Sequence, residues 1–533
     1  MNRNMSNAYN IYKIKFSEMD GLLEKIESVG LVEQKTQIYD NYEMTFYFSE
    51  KVEGNDVWWH ETYKEFLISQ DNSPKNIFYF GLLICKNEDN PQEVYAVSLG
   101  KSHFYLAKFI EPNLGITLAV RMGDEQTTIL KKSRYFTGTK RHEVSSYENF
   151  NVNSYESGES VEHLKIKASN HEIWGDKNII FADSIQLNVN KSPSELAQIL
   201  NEISDTLETD EVIKLPKLEP VTDLNLIEKL DSKIIDSLHQ DISIGIEEIH
   251  VSGINISFRF NEYNYELIFR KERRQLAKLN LGNSFDISMI SGFIKDHKIS
   301  NIDDLHVKFK IEESGRFTQP LKEILDFYTS YEEAQYFLKC GKWFKFNETF
   351  NAYLKKSLEQ IPLRFGQDLI EEDYSAWKIS KESQIENNED LPNKLTYREY
   401  YFNEILSINQ GYRLLDRQLK AIQSLDNKGK MYKVEVADLF KDNEIISVKI
   451  SEKPQDLIYN IEQSKGAVEL IQQGVIPFEY KLESAALWLV LEKPISSLIE
   501  INSIQFLLAV DSWKKRVEFF DLKPQIYISK HIK

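Results

Sequence analysis

The stretch YKVEVADLFKDNEIISVKI (Tyr432–Ile450) predicts a β-hairpin, and it decides the interpretation of the C-terminal part of the chain. Two runs rich in valine and isoleucine flank a short polar break, which is the pattern of two strands joined by a tight turn. A two-residue turn of the primed type at Asp442-Asn443 would place Leu439 opposite Ile446. The local sequence therefore predicts not only two strands but also their register.

That register determines which side chains share a face of the hairpin. It predicts Asp438 opposite Ser447 and Val436 opposite Lys449. Asp438 and Lys449 then lie on one face within diagonal reach of each other, whereas the second face is apolar and belongs to the core. A shift of one residue would move these side chains to the opposite face, so the prediction depends on the turn.

The segments on both sides of the hairpin extend the pattern. Residues 396–410 (TYREYYFNEILSINQ) have helical spacing, and residues 412–419 (YRLLDRQL) predict a strand. A further helix is expected to begin at Pro454, and Leu487–Leu491 (LWLVL) predicts a buried strand. The first helix has one predicted stripe, formed by Tyr397, Tyr401, Glu404 and Ile408. The expected order is helix, three strands, helix and strand.

This order, with an acid on the first helix, an acid on the second strand and a lysine on the third, resembles the core of PD-(D/E)xK nucleases. The resemblance implies a restriction-endonuclease-like αβββαβ core that hydrolyses DNA phosphodiesters with Mg²⁺ or Mn²⁺. It implies that Glu404 and Asp438 are metal ligands and that Lys449 is the catalytic lysine, which would offset charge developing on the phosphate. Gln463, on the next helix, would contact the substrate or the metal shell.

One position departs from the nuclease pattern. The residue two before the lysine is usually acidic in such enzymes, but here it is Ser447. A metal ion would then depend on Asp438, Glu404, a backbone carbonyl and Asp416. The alternative interpretation is a hairpin that stabilises the fold and carries ordinary polar side chains on its open face.

The chain as a whole is acidic and too long for one hydrophobic core. Its 533 residues predict about two to four domains. The net charge of −18 argues against general coating of nucleic acid, although a local basic groove remains compatible with it. Two distant cysteines, Cys85 and Cys340, predict reduced thiols and a cytoplasmic protein. No apolar segment is long enough for membrane insertion.

The predicted fold class is a multidomain α+β or α/β protein with mixed sheets in its N-terminal and middle domains. Shifts in composition and periodicity suggest the following division: an N-terminal recognition or sensor domain at 1–207, a linker at 208–220, a middle domain at 221–380, a loop at 381–394, and the nuclease-like domain at 395–533.

Several segments spread along the chain carry a second resemblance. They include Trp58-Trp59, VYAVSLGKSHFYLAKF (94–109), GKWFKFNETFNAYL (341–354) and the C-terminal series FNE, LLD, VEVADLF and ISVK. Together they resemble a sporadically distributed family of uncharacterised bacterial proteins, often encoded near restriction-modification or mobile elements. This genomic neighbourhood implies a role in defence against phage or foreign DNA, which is an association rather than a mechanism.

Two basic clusters stand out against the acidic background and are candidate nucleic-acid contacts. The first consists of Lys131, Lys132, Arg134, Lys140 and Arg141, interleaved with aromatic residues; the second consists of Arg270, Lys271, Arg273, Arg274 and Lys278. Basic residues beside aromatics suit phosphate contacts and base stacking. The alternative for each cluster is a solvated face whose cations are paired with nearby acids.

Two functional hypotheses follow from these patterns. In the first, the protein is a metal-dependent nuclease that acts on foreign DNA, with the N-terminal regions selecting the target. In the second, the nuclease-like domain is inactive, and the chain is a nucleic-acid-binding or protein-binding sensor in a defence complex. The expected partners are DNA and either another defence protein or a second copy of the chain. The combination of Glu404, Asp438 and Lys449 favours the first hypothesis, and Ser447 favours the second.

Overall fold

The computed structural model describes residues 6–50, 52–68, 74–137, 139–150, 154–240, 245–246, 263–272, 274–282, 287–311, 315–332, 334–339, 341–382, 397–415, 419–423, 431–435, 437–493 and 495–533. The chain forms two compact units. The first consists of Met1–Arg134, His142–Tyr155 and Ser160–Lys217, and the second of Tyr135–Arg141, Glu156–Glu159 and Leu218–Lys533. The three-domain division expected from the sequence stays a prediction.

The first unit is built mainly from β-strands. Its strands are β1 (Asn7–Ile14), β2 (Leu31–Tyr39), β3 (Tyr42–Ser49), β4 (Val52–Asp56), β5 (Lys75–Phe78), β6 (Gly81–Asn87), β7 (Val94–Leu99), β8 (Gly123–Asp124), β9 (Leu130–Thr137), β10 (Thr139–Ser146), β11 (Glu159–Ala168), β12 (Ile179–Phe181) and β13 (Ile185–Val189). Its helices are α1 (Met19–Ser28), α2 (Trp58–Thr62), α3 (His103–Leu106), α4 (Leu114–Met122), α5 (His171–Trp174) and α6 (Leu196–Leu207).

A large sheet dominates this unit. The strands follow the order β10-β9-β11-β12-β13-β1-β7-β6-β3-β2, and β8 pairs with β11. Helix α1 covers one face because Leu22 and Ile26, four residues apart, project from the same side of the helix into a core shared with Leu82 and Ile84. Cys85 is buried, and burial raises the pKa of its thiol.

The second unit contains the remaining elements. Its strands are β14 (Leu218–Pro220), β15 (Gly245–Ile246), β16 (Tyr263–Lys271), β17 (Arg274–Gly282), β18 (Leu305–Ile311), β19 (Gly315–Pro320), β20 (Leu325–Tyr331), β21 (Ala334–Lys339), β22 (Lys342–Phe346), β23 (Leu363–Phe365), β24 (Leu369–Ile370), β25 (Arg413–Leu414), β26 (Leu419–Gln423), β27 (Met431–Glu435), β28 (Leu439–Lys441), β29 (Glu444–Ile450), β30 (Ser484–Leu491) and β31 (Lys523–Ile532). Its helices are α7 (Leu224–Gln240), α8 (Ile287–His297), α9 (Leu321–Ile324), α10 (Glu348–Leu358), α11 (Glu371–Glu382), α12 (Arg398–Gln410), α13 (Pro454–Gln472) and α14 (Ile504–Phe519).

Two antiparallel sheets occupy the first part of this unit. One has the order β14-β22-β21-β20-β15, and the other has the order β17-β16-β18-β19. Leu267 and Phe309 from the second of these sheets share a core with Leu230 and Ile234 of α7 and Ile290 of α8. Alternation along β16 and β18 therefore directs Leu267 and Phe309 inward and places Glu266, Lys308 and Lys310 on the other face.

A mixed sheet with the order β23-β31-β30-β29-β28-β25 forms the C-terminal core. Strands β29, β30 and β31 are parallel neighbours, whereas β28 and β25 continue the sheet in antiparallel fashion. Every residue of β30 is buried, because helices cover both faces of a central parallel strand. Helices α13 and α14 pack on one face, and α11 and α12 pack on the other. The protein is thus a mixed α+β protein with antiparallel sheets and a mixed C-terminal sheet.

The predicted hairpin turn is confirmed. Asp442 and Asn443 both have positive φ, at 49° and 63°, as a primed two-residue turn requires. Leu439 lies opposite Ile446, as the turn predicts. The first strand is shorter than expected, because β27 pairs with β26 and β28 begins only at Leu439. The predicted pairing of Val436 with Lys449 lies outside the described residues. Likewise, the predicted strand at 412–419 is divided between β25 and β26, with 416–418 outside the described residues.

The predicted stripe of the first helix is confirmed at Tyr401 but wrong at Tyr397 and Ile408. In α12 the buried residues are Tyr401, Phe402, Asn403 and Leu406, whereas Tyr397 and Ile408 are exposed by 52% and 74%. Phe402 and Leu406 pack against the sheet, which rotates the helix relative to the expected orientation. This rotation decides where Glu404 lies. The predicted helix at Pro454 and the buried strand at Leu487–Leu491 are both confirmed.

Candidate functional site

Asp438 lies where the hairpin opens, and three hydrogen bonds hold it there. Its amide donates to the carbonyl of Ile446 at 3.0 Å, and its carbonyl accepts from the amide of Leu415 at 2.8 Å. Its Oδ2 accepts from the amide of Val448 at 2.6 Å. The carboxylate therefore extends the ladder beyond the last paired residues of β28. Asp438, which comes directly before β28, therefore lies beside Val448, the residue that precedes Lys449.

Lys449 forms an ion pair that the sequence did not reveal. Its Nζ is 3.3 Å from Oε1 of Glu399, and the two side chains are 29% and 25% exposed. Glu399 is in the first turn of α12, where an acid is favourable because the helix N-terminus carries partial positive charge. The only sequence signal for Glu399 was its place near a helix start. Its pairing with a lysine fifty residues later depends on how α12 packs.

Glu404 points toward α11. Its Oε2 accepts from Nε1 of Trp377 at 2.6 Å, and its Oε1 accepts from Nζ of Lys381 at 2.9 Å. Each carboxylate oxygen thus has a partner within the fold. These bonds follow from the orientation of α12. Because Phe402 and Leu406 form its buried side, Glu404 is directed toward α11.

Gln463 lies on α13 and is exposed, with its Nε2 donating to the hydroxyl of Tyr459 at 3.2 Å. This contact stays within one helix and involves none of the predicted catalytic side chains. The structure therefore brings Asp438 to the strand that carries Lys449. It gives Glu404 and Gln463 separate local partners.

The predicted ligands do not fit a divalent cation as they are arranged. Mg²⁺ prefers an octahedral shell of oxygen ligands. Within the described residues, no three histidine, cysteine, aspartate or glutamate side chains come together in a way that could hold a metal ion. Both oxygens of Glu404 are already bound, and Asp416 lies outside the described residues. Metal binding by Glu404 and Asp438 stays a prediction.

A charged cleft lies at the carboxyl ends of β29, β30 and β31. Its volume is about 370 Å³, and its lining comes from these strand ends and from the N-terminal ends of α12 and α13. The charged residues of the lining are Arg398, Glu399, Glu452, Lys453, Glu492, His531 and Lys533. Ligands of open sheets with parallel strands bind outside the carboxyl ends of those strands. The cleft is therefore a candidate site of the C-terminal core, and Glu399 connects it to Lys449.

An ionic network stabilises one wall of this cleft. Arg398 donates from Nε and Nη2 to the two oxygens of Glu371, at 2.8 and 2.7 Å. Nε2 of His531 lies 2.8 Å from the same carboxylate. The hydrogen bond from Arg398, joined by that of His531, lowers the pKa of Glu371 to about 2. The network ties α11, α12 and the end of β31 together.

The first basic cluster is largely occupied within the fold. Lys131 and Arg134 are only 1% and 4% exposed. Nζ of Lys131 donates to the carbonyl of Ser154 at 2.7 Å, and Nε of Arg134 is 3.2 Å from Oε1 of Glu162. In this structure neither cation is placed to reach a phosphate. Lys132 is half-buried, and the side chains of Lys140 and Arg141 lie outside those described.

The second basic cluster is at the end of the β16–β17 hairpin. Arg270 is half-buried and Arg274 is exposed, while Arg273 lies outside the described residues. In the strand register, the backbone of Arg274 lies opposite that of Lys271 across the turn. Of the two clusters, this one offers its described cations to solvent.

Fold and site together define an α+β protein with a large antiparallel sheet and a mixed C-terminal sheet that ends in a charged cleft. The chain belongs to a family of unknown function, DUF6119, whose model matches residues 9–474. No curated protein and no solved structure matches the chain. None of the described helices is long and apolar enough to cross a membrane.

Proposed function

We propose that this protein binds foreign nucleic acid in a bacterial defence system and that its C-terminal core serves as a scaffold rather than as a nuclease. One observation carries the proposal: each side chain that hydrolysis would need is bound to another group of the fold. Glu404 is held by Lys381 and Trp377, and Lys449 is held by Glu399. Ser447 provides no carboxylate at the position that is usually acidic.

The element order supports a restriction-endonuclease-like origin for this core. Helix α12 is followed by β25, by β26 and β27, which form a separate two-stranded sheet, and by β28 and β29; then come α13 and the parallel strand β30. Without β26 and β27, the elements of the mixed sheet and its helices have the αβββαβ order, and β31 extends it by one more parallel strand. A shared fold does not imply a shared reaction, because function depends on the side chains of the site.

The defence context rests on resemblance. The chain is similar over most of its length to sporadically distributed bacterial proteins encoded near restriction-modification and mobile elements. That association gives a biological setting for a nucleic-acid-binding protein. The expected partners are foreign DNA and either a second defence protein or another copy of this chain.

The test is DNA binding without metal, followed by protection of cells. Fluorescence anisotropy with double-stranded and single-stranded DNA in EDTA should give saturable, salt-dependent binding. Cells that express the protein should resist phage, and a Glu404→Gln variant should protect them as well as the wild type does. Failure to bind either form of DNA would remove the proposal.

A second candidate function, metal-dependent DNA hydrolysis, is favoured by a different observation. The carboxylate of Asp438 lies 2.6 Å from the amide of Val448, directly before Lys449, and Lys449 reaches the cleft through Glu399. An acid thus lies against the strand that carries the lysine, and Glu399, the partner of that lysine, lines an open cleft. Incubation of plasmid and single-stranded DNA with Mg²⁺ or Mn²⁺ tests this function. If the cleavage rate rises in proportion to the protein concentration, the protein is a nuclease and the scaffold proposal is wrong.

A further inference from the structure

The antiparallel sheet β17-β16-β18-β19 concentrates positive charge in a chain whose net charge is −18. Its strands contain one acidic residue, Glu266. The cations of the same strands are Arg270, Lys271, Arg274, Lys278, Lys308, Lys310 and Arg316. Such a local reversal of charge creates a potential that attracts polyanions even to an acidic protein.

Three lysines converge on Glu266. Nζ of Lys278 is 3.2 Å from Oε1 of Glu266, and Nζ of Lys310 is 3.6 Å from the same oxygen. Lys308 lies directly opposite Glu266 on the neighbouring strand. Burial would raise the pKa of Glu266, but the hydrogen bond from Lys278 and the charges of the three lysines lower it overall. One ionised carboxylate therefore holds the ammonium groups of Lys278 and Lys310 together, and Lys308 lies on the strand opposite it.

The ammonium groups are accessible, although the carboxylate is not. The side chain of Glu266 is 10% exposed, whereas those of Lys278 and Lys310 are 62% and 40% exposed. The opposite face of the sheet is filled by the core that contains Leu267 and Phe309. The lysines therefore belong to the outer face, which we call the Glu266 face and define by Glu266, Lys278, Lys308 and Lys310.

The basic surface continues along the β16–β17 hairpin. Arg270 follows Glu266 and Ile268 in the same alternation, and Lys271 and Arg274 pair at the end of the hairpin. Strand β17 is the edge of the sheet, and Leu276 on it is 58% exposed. The cations thus form an elongated surface rather than a single point, which suits a linear polyanion more than a small anion.

We propose that the Glu266 face and the adjoining β16–β17 hairpin bind the phosphate backbone of double-stranded DNA. This inference rests on the proposed function and names the surface that performs it. Among the described residues of this face, three lysines against one glutamate leave an excess of two positive charges. Pairing with β18 ends at Phe269, so the end of the β16–β17 hairpin continues as a two-stranded ribbon, which has the dimensions to enter the major groove of DNA. Glu266 acts as a positioning residue, because it aligns the lysines and does not itself face the phosphates.

The test compares salt dependence between two variants whose effects should be opposite. Removing the lysines alone would leave Glu266 buried without a counter-charge, so the first variant combines Glu266→Gln with Lys278→Gln, Lys308→Gln and Lys310→Gln. Its affinity for double-stranded DNA in EDTA should fall, and the slope of log K against log salt should flatten by about one unit per lost contact, roughly three in total. The single variant Glu266→Gln should bind more tightly, because it removes only the negative charge.

A matched control removes three exposed lysines elsewhere in the same unit: Lys355→Gln, Lys356→Gln and Lys481→Gln. It lowers the net charge more than the four-residue variant does, yet its salt slope should equal that of the wild type. Thermal unfolding of each variant verifies that the fold is retained. Competition with single-stranded DNA, RNA and heparin distinguishes a duplex site from a general polyanion site.

The outcomes separate this surface from the function on which it rests. If wild type binds DNA and the four-residue variant binds it with an unchanged slope, the surface is wrong and the proposed function stands. If the wild type binds no DNA at all, the function fails first. Equal losses in the control and the four-residue variant would show a net-charge effect, and tighter competition by heparin than by duplex DNA would also overturn the assignment.

Discussion

Glu371 connects three elements of the C-terminal core through one carboxylate. It accepts two hydrogen bonds from Arg398 and lies against Nε2 of His531, so α11, α12 and β31 meet at its oxygens. The bidentate geometry with an arginine is the strongest form of such a pair. Residues of this kind set the pH range in which the cleft keeps its shape.

The first prediction concerns pH. The pKa of Glu371 is about 2 in the folded protein, below its ordinary value of 4.5. A depressed pKa contributes stability above the unfolded value, and this contribution is lost as the pH falls from about 4.5 toward 2. Urea unfolding between pH 6 and 3 should therefore show a weaker pH dependence in Glu371→Gln than in the wild type. The exposed neighbour variant Glu372→Gln should retain the wild-type slope, and a wild-type slope in Glu371→Gln would contradict the role of the network.

At the scale of elements, the side chain of Asp438 supplies a hydrogen-bond acceptor that a backbone carbonyl would normally supply in a strand. Strand β28 ends its pairing at Leu439, and the Asp438 side chain accepts the next amide of β29. Val448 is 3% exposed, so its amide has little access to water. A buried amide without an acceptor is costly, which gives this aspartate a structural task independent of any reaction.

The second prediction follows from that bond. Asp438→Ala should lower the free energy of unfolding by about 1–3 kcal/mol, because the amide of Val448 loses its acceptor. Asp438→Asn keeps an oxygen at the same place and should lose clearly less. Chemical denaturation of both variants measures the difference. Equal losses would show that the charge, and not the hydrogen bond, is what the hairpin needs.

The third prediction tests the turn of the same hairpin. Asn443 has a φ of 63°, a conformation that β-branched residues avoid. Asn443→Val should therefore cost about 1–2 kcal/mol of stability. Asn443→Gly should cost nothing, because glycine adopts positive φ freely. A neutral valine variant would indicate that the turn relaxes to another type.

The elements that the sequence predicted well are those with local determinants. The Asp442-Asn443 turn set its own register, and the apolar run at Leu487–Leu491 became a central strand. The predicted stripe of α12 is right at Tyr401 and wrong at Tyr397 and Ile408, because packing against the sheet also selected Phe402 and Leu406 and left those two residues exposed. Periodicity alone could not choose between these two faces of one helix.

Long-range partners explain the rest of what the sequence missed. Glu399 meets Lys449 only because α12 lies across the sheet. Lys131 and Arg134 resemble a nucleic-acid surface in one dimension, but they are buried against Ser154 and Glu162. The three lysines around Glu266 come from two separate strands. The role of a charge cluster can therefore be judged only when the positions of the opposite charges around it in the fold are known.

At the scale of the whole molecule, charge is distributed unevenly. The chain carries −18 overall, and several cations of the C-terminal core are matched to an acid, as Lys381 is to Glu404 and Lys533 to Glu492. On the Glu266 face cations outnumber acids. A protein that repels polyanions in general yet attracts them at one surface binds nucleic acid in a defined orientation. If DNA binds as proposed, Lys449 decides whether the bound strand is then cut.

The last prediction uses Lys449 to decide between the scaffold and the nuclease. A catalytic lysine acts on the transition state more than on bound substrate, so its loss lowers turnover and leaves affinity unchanged. If the core is a scaffold, Lys449→Ala should protect cells from phage as well as Lys523→Ala, which removes an exposed lysine from β31. If the core is a nuclease, the same variant should lose cleavage by on the order of a hundredfold at unchanged DNA affinity, and protection should disappear with it. We expect the first result, because Glu399 already neutralises Lys449 and Glu404 is committed to α11. A loss of protection confined to Lys449→Ala, with normal folding and DNA binding, would assign catalysis to the cleft.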